Sequence, residues 1–407
     1  MLGGIEMEYR RNPVMPWVTF AASVLFTLSY VVMTVSLQND LDRTFSIVSL
    51  LVTGVLALAV IVLALITGKI NKACDPLFER AEAVSARYTF LAVVISVLPL
   101  LLQVLFFAVI PDAEELAQDY PARVSLIITI LTIYVTGAPL LLLALRKVPK
   151  MKIEKRTPTV SFLFLCLMSM CGLCLIGVII GLPFELVLTV PFQGDEPSQS
   201  NIAEIISSTT LIERVLVIGI LGPIFEELIF RKLLVERTIK YGETFSIILS
   251  GFMFGLFHGN FQQFFFASLI GMLFAFIFIR TGNVIYPILL HMTVNLTTSI
   301  VTASMYIKLM PYMDELEHLE DLPEDIQIVT VALVMWMLLL FTIAVTGIIL
   351  FCVFNKRFKP YKAPGEPRTG AIIGKCVHSP LFWSFVVICL GDFGSSYLPD
   401  IVKTITG

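Results

Sequence analysis

The sequence predicts an all-α polytopic membrane protein of about ten transmembrane helices, with both termini in the cytoplasm. Three observations carry that reading: a composition too apolar for a soluble domain, about ten apolar runs, and basic residues gathered in alternate loops. Of 407 residues, 57% are hydrophobic and 14% charged, against about 45–50% and about 25% in soluble domains. This excludes a soluble globular protein, a disordered chain and a collagen. A net charge of -3 offers no basic surface to a phosphate backbone, so no nucleic-acid partner is expected. Seven cysteines are too sparse for a disulfide framework. Cys171 and Cys174 form a C-x-x-C inside an apolar stretch with no second pair, where packing is the expected role.

Crossing the hydrocarbon core takes roughly 20 apolar residues. Runs of that kind lie near 14–36, 45–67, 88–110, 122–145 and 160–188, and then near 211–235, 243–258, 264–280, 284–305 and 326–354. The seventh and eighth are short. The first follows Arg10 and Arg11 without a small-residue cleavage site close behind, so it reads as a signal anchor rather than a removable leader. From Pro380 to Gly391 the apolar run is too short to cross unaided and is expected to be re-entrant or interfacial.

Lys and Arg accumulate on the cytoplasmic side. Lys69, Lys72, Arg80 and Arg87 follow the second run. Arg146, Lys147, Lys150, Lys152, Lys155 and Arg156 follow the fourth, and Arg231, Lys232, Arg237 and Lys240 close the sixth. Arg280 ends the eighth, and Lys356, Arg357, Lys359 and Lys362 follow the tenth. The intervening loops are poor in basic residues: 111–121 is acidic, 192–210 has no Lys or Arg, and 306–325 has Lys308 alone. The acidic stretch DELEHLEDLPED is expected to be a short surface helix, with His318 a bystander. Residues 146–159 form a candidate boundary after the N-terminal bundle. The chain divides as 1–200, a five-helix membrane region of unassigned role; 201–310, a core; and 311–407, an outer acidic loop, the last transmembrane helix and a cytoplasmic tail.

Function must come from polar residues where lipid should exclude them. Ionisable groups at membrane depth cost on the order of 2.5–3.5 kcal/mol each and face a bundle interior or wet cavity. The sixth run contains GPIFEELIFRKLL, with Glu226 and Glu227 adjacent and Arg231 four residues on. The seventh ends in FMFGLFHGN, with His258, and the ninth contains YPILLHMTVN, with His291 and Asn295. Glu227 and Arg231 share a helix face and can pair, while Glu226 is rotated by about 100° and can face a cavity. His291 and Asn295 can aim at one point, and Phe254 can wall the pocket beside His258. The polar GNFQQ turn after the seventh run is tolerated at depth only inside protein or a wet cavity, which would lower His258 towards the others.

In this order, E-E-x-x-x-R, F-x-x-x-H and H-x-x-x-N resemble the CPBP (CAAX protease and bacteriocin-processing, Abi) family of intramembrane proteases, which includes the type II CAAX prenyl endopeptidases. The resemblance covers about 205–305 and makes 201–310 a CPBP-like protease core. It implies an intramembrane endopeptidase, a hydrolase acting on a membrane-associated or lipidated peptide or protein. Glu226 would be the general base that draws a proton from water. His258 would orient that water or bind a metal, and His291 and Asn295 would donate to the developing oxyanion. Glu227 with Arg231 would hold the helix and the first carboxylate. Glu226, His258 and His291 are also ligand types that zinc favours in hydrolases. The H-E-x-x-H spacing is missing, however, and a glutamate-activated water without metal explains the set as well, so both that water and a divalent metal such as zinc on Glu226, His258 and His291 stay open. The expected partners are a peptide or membrane-protein substrate and the lipid bilayer, and the ten-span layout resembles bacterial cell-membrane members. Two other functions fit a buried polar cluster: a proton-coupled transporter, against which stands the lack of paired halves, and a non-catalytic membrane scaffold.

Overall fold

A computed structural model describes residues 14–39, 43–67, 76–189, 209–362 and 368–406. Arg10, Arg11, Lys69, Lys72, the 200/201 division and most of the 192–210 loop lie outside the described residues, as do the side chains of Arg80 and His318. Every regular element among the described residues is helical. Membrane-spanning backbone must satisfy its own polar groups, and helices do so within one segment.

The elements are α1 (Met15–Gln38), α2 (Arg43–Thr67), α3 (Pro76–Val109), short α4 (Ala113–Asp119), α5 (residues 121–145), α6 (Val160–Thr189) and α7 (residues 211–238). There follow α8 (Glu243–Leu256), α9 (Phe261–Thr281), α10 (residues 285–309), α11 (Glu324–Val353), α12 (Thr369–Val377) and α13 (Pro380–Thr406). Among the described residues, nine helices are long and apolar enough to cross a membrane. Two predicted spans are outside that set. Helix α7 carries too many charges, and α8 has 14 residues, roughly 21 Å at 1.5 Å per residue against a core of about 30 Å. The eighth run, expected to be short, is a 21-residue helix, because its polar N-terminal turn Phe261–Gln263 is helical too.

Helix α13 corrects the sequence reading. The segment expected to be re-entrant or interfacial is the first half of a continuous 27-residue helix whose stretch Pro380–Thr404 is long and apolar enough to span. Counting apolar residues stops at Asp392, but that side chain is supplied with partners by other helices: Ser96 Oγ donates to its Oδ1 at 3.0 Å. The expectation for the two termini therefore rests on loop charge alone. The acidic segment forms a 3-10 helix, Met310–Asp321, anchored by a small cluster of Leu309, Leu322 and Ile326.

Helix contacts are close where side chains are absent. At the α6–α11 crossing, a Cβ on Gly347 would lie 1.9 Å from the Met168 carbonyl oxygen, and one on Gly172 would lie 2.6 Å from the Ile348 nitrogen. Small residues permit such backbone approach in membranes. Cys171 and Cys174 are free thiols packed beside the aromatic and aliphatic cluster of α9, as expected. The 146–159 connection is a strap pinned at both ends: Met151 N–H donates to Glu236 O at 2.7 Å, and Arg156 N–H to Thr281 O at 2.8 Å. It ties the N-terminal bundle to the ends of α7 and α9.

Candidate active site

Helix α7 is not a regular α-helix. Two π-helical stretches, Arg214–Leu221 and Leu228–Val235, flank Gly222–Glu227. Widened turns of this kind recur at functional sites, and here other helices supply donors to their carbonyls. Asn295 Nδ2 donates to Ile218 O at 2.9 Å, Tyr88 Oη to Ile229 O at 2.6 Å, and Ser250 Oγ to Phe230 O at 2.9 Å. The carboxylate pair is thus held between two stretches whose shape is fixed by α3, α8 and α10.

The two adjacent carboxylates have different surroundings. Glu227 is locked: Arg231 Nε lies 2.8 Å from its Oε2, with both side chains 0% exposed, and His291 Nδ1 lies 3.0 Å from its Oε1. An ionised carboxylate only accepts, so the proton sits on His291 Nδ1. The guanidinium of Arg231 is sandwiched by aromatic faces, 4.6 Å from the Phe254 ring centre and 5.6 Å from that of Phe274. A buried ion pair costs heavily to desolvate and needs such additional partners. Glu226, one residue earlier, keeps 27% of its side chain exposed, and its Oε2 is 3.7 Å from His291 Nε2.

Both imidazoles meet the Phe254 ring edge-on, His258 at 4.8 Å and His291 at 5.7 Å between centres. His258 Nδ1 donates to Phe254 O at 2.8 Å, which leaves Nε2 without a partner among the described residues. Other parts of the chain cover the turn that carries His258. Asn260 Oδ1 caps α9 through Gln263 N–H at 2.9 Å. Ser396 Oγ donates to Gly259 O at 3.1 Å, and Tyr397 Oη accepts from Phe261 N–H at 2.9 Å.

Glu226, Glu227, Arg231, His258 and His291 come together around Phe254. Asn295 directs one of its two amide hydrogens to the Ile218 carbonyl. Among the described residues no three His, Cys, Asp or Glu side chains are arranged to hold a metal ion. Unpredicted members are Phe274, whose ring lies 5.3 Å from His291, Ser250, and Tyr134, whose ring stacks on Phe225 at 4.7 Å. Each sits in an apolar run that marks it as ordinary core.

Residues 208–297, which contain all six predicted site residues, match the family model described as Type II CAAX prenyl endopeptidase Rce1-like. A stretch of 98 residues is 33% identical to the protein named "Putative membrane peptidase YdiL" of Bacillus subtilis (strain 168), covering 23% of this chain and 38% of that protein. The chain thus spans less than two fifths of that relative's length. No solved structure matches the chain. The resemblance read from the three motifs to the CAAX protease family is supported by both matches, over about a quarter of the sequence.

Proposed function

We propose that the protein is an intramembrane endopeptidase that hydrolyses a peptide bond of a membrane-associated or lipidated peptide with a water activated by Glu226. The observation that carries this reading is the split between neighbouring carboxylates. Glu227 is consumed by Arg231 and His291 and serves as scaffold, while Glu226 remains partly exposed beside an imidazole.

In this reaction Glu226 takes a proton from water, and the hydroxide oxygen bonds to the carbonyl carbon. The carbonyl electron pair moves onto oxygen. When it returns, the C–N bond breaks and the proton held by Glu226 passes to the leaving nitrogen. The free Nε2 of His258 accepts the water's second hydrogen and aims its lone pair. Glu227 holds the His291 ring through Nδ1, which turns Nε2 towards Glu226. Phe254 and Phe274 keep bulk water from the ion pair. The matched family and relative, a prenyl endopeptidase and a membrane peptidase by name, support a hydrolase acting at the membrane.

The test is cleavage of a quenched peptide library, with and without S-farnesyl cysteine, by the full chain in detergent. Cleavage that Glu226→Gln abolishes without changing the melting temperature supports the reading. Cleavage that survives this change, or no cleavage of any peptide beside solute flux in sealed liposomes, overturns it.

A further inference from the structure

We infer that Tyr134, from α5 and outside the matched segment, is a catalytic residue of this site: its hydroxyl donates to the scissile carbonyl oxygen as negative charge develops there. The inference rests on the endopeptidase reading and adds a donor to it. Acyl transfer needs a donor aimed at the forming oxyanion. Asn295 commits one of its two amide hydrogens to Ile218 O, and His291 turns Nδ1 to Glu227, so a donor from outside the three motifs would add to what these two residues can offer.

Tyr134 meets the requirement by position. It lies in the π-helical stretch Ile130–Gly137 of α5, and its ring is stacked on Phe225, the residue before Glu226, with the planes 24° apart. The hydroxyl has no hydrogen-bond partner among the described residues. A Cβ placed on Gly222 would lie 3.5 Å from Tyr134 Oη and 3.7 Å from Glu226 Oε1. The phenol and the general base therefore border one small gap, floored by a glycine whose missing side chain keeps it open. A peptide carbonyl attacked by water from Glu226 presents its oxygen within reach of the phenol. The O–H bond is not broken; the phenol only lends its proton to the oxyanion until the C–N bond breaks.

Two variants test this in the full-length chain. Tyr134→Phe keeps the stacked ring and removes only the donor. Gly222→Ala adds a methyl at ordinary contact distances, 3.4 Å from Val217 O being the nearest, and so fills the gap without distorting α7. With a library peptide cleaved by the unmodified chain, Tyr134→Phe should lower kcat roughly 100-fold or more with KM and melting temperature unchanged. It should also weaken binding of a phosphinate analogue of that peptide while leaving binding of the peptide itself intact. Gly222→Ala should lower kcat comparably while melting at or above the original temperature, as alanine favours a helix over glycine. Wild-type kcat for Tyr134→Phe in a chain that Glu226→Gln inactivates overturns the role of Tyr134 and leaves the endopeptidase standing. Failure of the unmodified chain to cleave any probe overturns both.

Discussion

Two carboxylates of this protein sit between membrane helices with opposite kinds of company. Asp392 on α13 is surrounded by hydroxyls: Ser96 Oγ donates to Oδ1 and Oδ2 at 3.0 and 3.3 Å, and Tyr30 hydrogen-bonds the same carboxyl. Glu226 on α7 has an imidazole at 3.7 Å, a second beyond Phe254, and 27% of its side chain open. A membrane acid surrounded by hydroxyl donors is satisfied and finished, and it holds helices together. One left partly open beside groups that both accept and donate protons is available for chemistry. The residue type is nearly the same; the neighbours decide.

Substituting each acid by its amide separates the two roles most sharply. Glu226→Gln should reduce peptide cleavage about 1,000-fold, the middle of the range for a general base, with no change in melting temperature. Asp392→Asn should leave the cleavage rate within about threefold, since Ser96 can still donate to the amide oxygen. A reversal of those two outcomes in the same cleavage assay would sink the distinction. Removing the cation behind Glu227 comes next: Arg231→Ala strands a buried charge at a cost of about 3–5 kcal/mol, seen as a large fall in melting temperature and in yield of folded protein. Replacing both partners with Glu227→Gln and Arg231→Met should recover much of that loss without restoring activity, because His291 loses its anchor. The smallest effect belongs to the α13 side. Tyr397→Phe removes the acceptor of Phe261 N–H and the donor to Glu185 Oε2 at 2.8 Å, worth about 1 kcal/mol. Thermal melting in detergent should register it, along with a modest loss of cleavage through His258.

Much of this arrangement was legible in the residues. Glu227 and Arg231 pair because they are four apart on a helix, and His258 meets Phe254 for the same reason. The divergence of Glu226 from Glu227 followed from helical rotation. What periodicity could not carry was any contact between distant segments. His291 reaches Glu227 across 64 residues, and Asn295 reaches Ile218 across 77, so each has a partner that no local pattern reveals. Tyr134 was passed over because a tyrosine in an apolar run is ordinary, and only the open floor at Gly222 makes it notable. The span in α13 was missed because Asp392 breaks the hydropathy, while Ser96 and Tyr30, which supply its carboxyl with partners, lie on two other helices.

The cover that Ser396 and Tyr397 place over the turn at Gly259 and Phe261 has an implication for biogenesis. Of the helices described, the one bearing that cover is last in chain order, so a ribosome delivers it after Glu226, His258 and His291. Until it docks, Gly259 O and Phe261 N–H lack the partners that Ser396 and Tyr397 supply. On the endopeptidase reading, cleavage waits for that helix, and other nascent proteins are spared a half-built site.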